Sequence, residues 1–307
     1  MKKSIYTDLA MEARELSGEL SGVIEQTENF GDVTVDRIEI TDPDAAQQLG
    51  KQPGKYITID APDLVSRPLD LFEQVSRTIT NELIALAGEL SPTATVLVVG
   101  LGNRYITPDS LGPSVAEKVY VTRHINQMMP EALSAPTRSV CAFAPGVLGV
   151  TGVETLEVIR GVVEHVKPDL IIIIDSLASR RAARISTTVQ LTNAGISPGS
   201  GVGNTRAGLS KQELGVPVIA IGVPMVVNAS TISQDTISLI VAQTGMQNDE
   251  DRLLSLAEKV MDEHIGPLIV TPKDIDTIVD DMSVILSNGI NRAILGERYD
   301  EVHSLIA

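Results

Sequence analysis

Residues 95–109, TVLVVGLGNRYITPD, and residues 168–181, PDLIIIIDSLASRR, decide how this chain folds. Each opens with an uninterrupted apolar run of strand length, the pattern of a strand covered on both faces of a parallel sheet. An aspartate follows each run, Asp109 in the first and Asp175 in the second. In an open parallel sheet, ligands and chemistry collect at the carboxyl ends of the strands. Two such ends can bring two carboxylates, distant in sequence, into one crevice. That arrangement suits a hydrolase that works with an acid and a base carboxylate.

Outward from these runs a βαβ rhythm extends in both directions. Pro113 marks the first turn of a helix after residue 100. RSVCAFA (138–144) reads as a strand, and TGVETLEVIRGVVEHV (151–166) as a helix capped by Thr151 or Gly152. ISTTVQLT (185–192) and PVIAIGVP (217–224) read as further strands. Three helices follow, within 231–245, 251–265 and 273–294; the last carries an apolar stripe of Ile275, Ile278, Val279, Met282 and Ile285. Upstream, 69–90 has helical periodicity ending near Gly88, and TVDRIEIT (34–41) and KYITIDA (55–61) alternate as half-buried strands do. Residues 1–30 are polar and helix-prone, without a clear packing face. The expected fold is a three-layer α/β/α arrangement with a mostly parallel central sheet and a small N-terminal mixed β element. That element, residues 17–68, could form a small subdomain of an otherwise single domain.

Composition narrows the function. Of 307 residues, 43% are apolar but only 3% aromatic, so aliphatic side chains must fill the core. The formal net charge of −16 repels phosphate backbones, which argues against direct nucleic-acid binding. Cys141 is the only cysteine, which fits a reducing compartment and leaves no disulfide framework. The N-terminus lacks an apolar signal region, and no apolar run reaches the length of a membrane span. A cytoplasmic protein is expected.

Each candidate motif has a plainer alternative. GLGN (100–103) lacks the third glycine and immediate helix of a dinucleotide loop, so Gly100 and Gly102 are read as allowing a tight turn beside a site that includes Asn103. Asp109 could be only an N-cap or Asx turn. Asp175 could be a strand-end carboxylate paired with Arg180 or Arg181; burial beside a second carboxylate would raise its pKa. The stretch 193–206, with Gly195, Gly199, Gly201 and Gly203, could line a substrate and offer N–H groups to an oxyanion, or could be a surface loop. It contains a formal G-x-S-x-G at 195–199, but Pro198 and the glycines beyond it do not suit a nucleophile elbow. His124, His165, His264 and His303 form no H-x-x-x-H pair, so no metal site or cofactor is expected.

Taken together, LVVGLGN with TPDSLGP, VTRH, APGVLGVTGVET, VKPDLIIIIDSLASR, GISPGSGVGN, LGVPVIAIGVPMVVNA and IVTPKDID resemble the germination protease family of spore-forming bacteria, from about residue 5 to 295. The resemblance implies a homotetrameric endopeptidase of the spore core that degrades small acid-soluble spore proteins during germination. It is made as a zymogen that removes a short propeptide by self-cleavage, and acidification could trigger that step. The family's two essential aspartates fall on Asp109 and Asp175. Its substrates are cut after Glu in a Thr-Glu-apolar-Ala context, which Thr7-Asp8-Leu9-Ala10 nearly copies. A propeptide of residues 1–8, cut between Asp8 and Leu9, is therefore expected, although Thr7 or Asp8 could simply start a helix. The connection from about 246 to 268 is shorter than in long family members.

The mechanism expected is water attack assisted by Asp109 and Asp175, without assignment of acid and base. One rival is a nickel-dependent peptidase of the hydrogenase-maturation type, whose GxGN loop and following Asp are similar, with Asp109 and His124 as metal ligands. Another is a non-enzymatic α/β protein that binds a small molecule and whose aspartates only cap helices.

Overall fold

The computed structural model of the chain describes residues 7–18, 20–197, 208–245, 249–266 and 268–306. The strands are β1 (Val23–Phe30), β2 (Val33–Ile40), β3 (Gly54–Asp60), β4 (Thr95–Gly100), β5 (Ser139–Phe143), β6 (Leu170–Ser179), β7 (Thr188–Thr192), β8 (Val218–Asn228) and β9 (Ile269–Val270). Among the described residues they form one sheet in the order β1-β2-β3-β7-β8-β6-β4-β5, with β9 on the end of β8. The strands β8, β6, β4 and β5 run parallel. The strands β1, β2, β3, β7 and β8 pair antiparallel. The α/β class is thus as read, but the sheet is mixed rather than mostly parallel, and the parallel part is the half that holds the two decisive runs. The N-terminal strands β1–β3 continue that sheet through β7.

Both faces of the parallel half are covered, which is why its strands are apolar throughout. On β4, Val96 and Val98 face the helices Leu69–Ala87 and Ile275–Leu295, while Leu97 and Val99 face the opposite layer with Thr155–Val166. On β6, Leu170, Ile172 and Ile174 share the first core and Ile171 and Ile173 the second. Each fully buried aliphatic side chain contributes about 1.5–3 kcal/mol from the area removed from water. A third, smaller core joins Ala10 and Ala13 to Ile38, Ile40, Ala45, Ala46, Leu49 and Tyr56.

Three further expectations need correction. The described part of residues 1–30 does have a packing face: Ala10–Ser17 is a helix seated on that third core, and Val23–Phe30 is an edge strand. The strand is polar because it is largely exposed, and its identity comes from pairing with β2 across the Gly31–Asp32 turn. The helix after β5 begins at Thr155 rather than 151. Gly152, with φ of +72°, instead ends the short helix Leu148–Thr151, while Glu154 and Glu157 form a capping box. Finally, β6 does not stop at Asp175 but runs to Ser179, because β8 accompanies it that far.

Candidate active site

The strand β4 stops at Gly100, opposite Ile174 of β6, and the chain leaves the sheet as the Leu101 N–H bonds to the Ile174 carbonyl at 2.8 Å. Asp175 is the next residue of β6, so it lies where the sheet loses one neighbour but keeps the other. On that other side the register runs Asp175 opposite Gly222 of β8, and Gly222 opposite Gln190 of β7. Side chains directly opposite one another point to the same face. Asp175 and Gln190 therefore rise on one face with a glycine between them. A β-carbon at Gly222 would run into the side chain of Leu177. These residues line a cavity of about 150 Å³ together with Lys51, Tyr56, Thr192 and Asp8.

Asp109 reaches the site from the loop after β4. Thr107–Asp109 makes one 3₁₀ turn, and the cap position of the helix Leu111–Ala116 falls on Ser110. The Asp109 carboxylate accepts the Asn103 N–H at 2.9 Å, which folds the GLGN turn over it. Gly102 has φ of +112°, and a β-carbon there would come within 2.0 Å of the Asp109 carbonyl oxygen. The turn role read for this glycine has a concrete cause, since no larger residue allows the approach.

The N-terminal segment occupies this site. The Asp8 N–H donates to the Ala178 carbonyl at 2.9 Å, and the Ala178 N–H donates to the Asp8 carboxylate at 2.8 Å. The carbonyl of the Asp8–Leu9 peptide accepts from Lys51 Nζ at 2.7 Å and from Gln190 Nε2 at 3.2 Å. Beyond the bond, the Ala10 N–H donates to Gln190 Oε1 at 2.7 Å, and Leu9 is fully buried. Glu12, 1% exposed, anchors the segment further on by accepting the N–H groups of Arg180 and Arg181 at 2.7 and 2.9 Å. Arg184 adds contacts to Glu12 and Glu15.

Burial raises the Asp175 carboxyl well above the usual carboxylate range. The negative charges of Asp109 and Asp8 push in the same direction, against one N–H bond from Ser176 at 2.9 Å. The charge of Asp109 thus acts on Asp175, although Asp109 itself does not line the cavity. Lys51 is shifted down from the ordinary lysine value, chiefly by burial, with Asp8 and Glu12 acting the other way. The ion-pair partners considered for Asp175 are engaged elsewhere: Arg180 with Asp235 and Arg181 with Glu15, each at 2.9 Å. They follow the end of β6, beyond the stretch that flanks the cavity.

The structure thus gathers Asp109, Asp175, Asp8 and Leu9, with Asn103 bonded to Asp109. Gly199, Gly201 and Gly203 lie outside the described residues. Lys51, Gln190 and Gly222 escaped the sequence reading. A lone glycine inside VIAIGVP, and a glutamine amid the apolar and β-branched residues of TTVQLT, were the available signals. His124 is exposed on the helix Arg123–Met128, and among the described residues no group of three or more His, Cys, Asp or Glu is placed to hold a metal ion.

Comparison with known proteins places this α/β chain among the peptidases. It belongs to the germination protease family, whose model matches residues 2–263. The germination protease of Caldanaerobacter subterraneus subsp. tengcongensis is 47% identical over 305 residues, covering 94% of each chain. That of Clostridium acetobutylicum is 43% identical, covering 95% of each, and that of Bacillus subtilis is 38% identical, covering 94% of this chain and 93% of the relative. A solved nickel–iron hydrogenase maturation protease, HycI from Thermococcus kodakarensis, aligns with a TM-score of 0.34 at 16% identity, covering 67% of this chain and 98% of that one. Membership of the family makes the chain an endopeptidase of spore germination. Among the described residues no helix is long and apolar enough to cross a membrane.

Proposed function

We propose that the chain is made as a zymogen that cleaves its own Asp8–Leu9 bond, and that the same site then cuts small acid-soluble spore proteins after Glu in a Thr-Glu-apolar-Ala context. The observation that carries this reading is the N-terminal segment itself. It adds to the end of β6 through two hydrogen bonds at Ala178 and lays Asp8 in the cavity that Asp175 lines. Backbone pairing of an extended peptide with a strand is a general mode of peptide capture.

The two aspartates divide the chemistry by environment. Asp175, buried and beside two other carboxylates, has its protonated form favoured and serves as the acid toward the leaving nitrogen. Asp109, half-buried on its turn and bonded to the Asn103 N–H, serves as the base that takes a proton from the attacking water. The propeptide blocks substrate through Thr7 and Asp8, which take its place at Lys51, Ala178 and Gln190. The enzyme acts as a homotetramer in the cytoplasm of the spore core, as family likeness supports; light scattering at the mass of one 32.7 kDa chain would contradict the tetramer.

The test is intact mass before and after mild acidification, for the natural chain and for Asp175→Asn. Loss of residues 1–8 from the natural chain alone is the expected result. Equal processing of both removes Asp175 from the machinery, and no processing in either overturns the zymogen reading.

A further inference from the structure

Taking the Asp8–Leu9 bond as scissile, as proposed above, we infer that Lys51 and Gln190 are further catalytic residues. Together they form the oxyanion site of this peptidase, the role that the sequence assigned to the glycine stretch. Lys51 Nζ lies 2.7 Å from the Asp8 carbonyl oxygen and 3.3 Å from that of Thr7, so it straddles two successive peptide carbonyls of the docked segment. Gln190 Nε2 reaches the same Asp8 oxygen at 3.2 Å. Two donors converging on one carbonyl oxygen match the geometry that stabilises charge developing there.

The orientation of Gln190 is fixed by the substrate-like segment. Its Oε1 accepts the Ala10 N–H at 2.7 Å, which turns its NH₂ toward the Asp8 carbonyl. One side chain thereby reads the peptide on both sides of the bond. Gly222 stands between Gln190 and Asp175 in the cross-strand row, so the carbonyl donors approach from β7 and the approach to β3, while the carboxylates approach from β6 and the loop after β4. The Lys51 amine is held where burial strips it of water, which strengthens its interaction with a nearby negative charge.

In the resulting step, water oxygen bonds to the Asp8 carbonyl carbon and the water's proton passes to Asp109. The carbonyl π electrons move to oxygen, where Lys51 and Gln190 hold the new negative charge. Collapse breaks the C–N bond as the Asp175 proton passes to the Leu9 nitrogen. Nothing is oxidised or reduced.

The experiment measures the first-order rate at which the full chain loses residues 1–8 after acidification, for Lys51→Met, Lys51→Arg, Gln190→Met and Asp175→Asn. Hydrogen exchange at the Asp8 and Ala178 amides is followed in parallel. Loss of an oxyanion donor elsewhere costs about 10²–10³ in rate, so Lys51→Met is expected to slow self-cleavage by about that factor and Gln190→Met by about tenfold or more. The Asp8 and Ala178 amides should stay protected in both, and Lys51→Arg should recover part of the rate. Unchanged rates in the Lys51 and Gln190 variants, with Asp175→Asn inactive, would overturn the inference while leaving the proposed function standing. Slowing matched by loss of amide protection would also overturn it, since Lys51 would then only dock the segment. Processing that continues in Asp175→Asn would refute the reading on which the inference rests.

Discussion

The two halves of the sheet are built on different principles and meet at the site. The parallel half, β8-β6-β4-β5, is apolar on both faces and supplies the buried carboxyl of Asp175 and the turn that carries Asp109. The antiparallel half, β1-β2-β3-β7, is partly open to solvent and supplies Lys51, Gln190 and the seat for the N-terminal helix. The seam between them is the β7–β8–β6 row in which Gly222 separates Gln190 from Asp175. The lesson is that the parallel half contributes the carboxylates, and the antiparallel half the two donors that meet the carbonyl of the peptide that reacts.

The sharpest way to break the parallel half is Asp175→Asn or Asp109→Asn. Each is expected to lower the self-cleavage rate by about 10³-fold or more, measured as intact mass against time. At the seam, Gly222→Val forces branched carbons into the Leu177 side chain. We expect a stability loss of about 1–3 kcal/mol in urea unfolding, together with loss of processing as the cavity closes.

In the antiparallel half, Glu12→Ala leaves the Arg180 and Arg181 N–H groups without the carboxylate they now bond. A cost of about 1–3 kcal/mol in thermal unfolding is expected. Hydrogen exchange should show the segment around Asp8 opening before the parallel strands do.

The pH dependence separates the halves further. Asp175 has its folded pKa raised above the unfolded value, so the folded state binds the extra proton. Its contribution to stability is fully present below the unfolded carboxylate pKa and is lost as pH rises toward the raised folded value. Within that window the slope reaches about 1.4 kcal/mol per pH unit. Asp175→Asn removes this slope, so the variant should gain stability relative to the natural chain as pH rises; parallel curves would contradict the assigned state of Asp175. The smallest effect is expected far from the seam. Arg160→Ala breaks a 2.6 Å pair with Glu213 between two half-exposed side chains and should cost about 0.5 kcal/mol or less.

The parallel half was legible because a strand buried on both faces must be apolar throughout. LIIII at 170–174 and VLVV at 96–99 allow few other structures in a chain with flanking helical periodicity. The antiparallel half was only partly legible. The strand Val23–Phe30 is largely exposed and polar on both faces, so its alternation carries no signal, and only its partner β2 defines it. The site divided in the same way: Asp109 and Asp175 stood out as charges at the ends of apolar runs. Lys51, by contrast, sits in an ordinary-looking KQPGK turn, and its partner carbonyl is 43 residues away along the chain.

By itself, then, the sequence determined that this protein has a covered parallel sheet and that two carboxylates follow its most apolar runs. It also carried the likeness that joins the chain to the germination proteases. Those features follow from local rules, in which apolar runs exclude water and a charge beside them must meet a partner or a purpose. Only the tertiary structure decided that Asp175 sits within its strand, that Gly222 leaves it facing Gln190, and that the N-terminal segment docks beside them with Asp8 lining the same cavity. These depend on register and on contacts between segments up to 182 residues apart, such as Asp8 with Gln190. Strand register is set by the packing of whole faces, which no short stretch of sequence specifies alone.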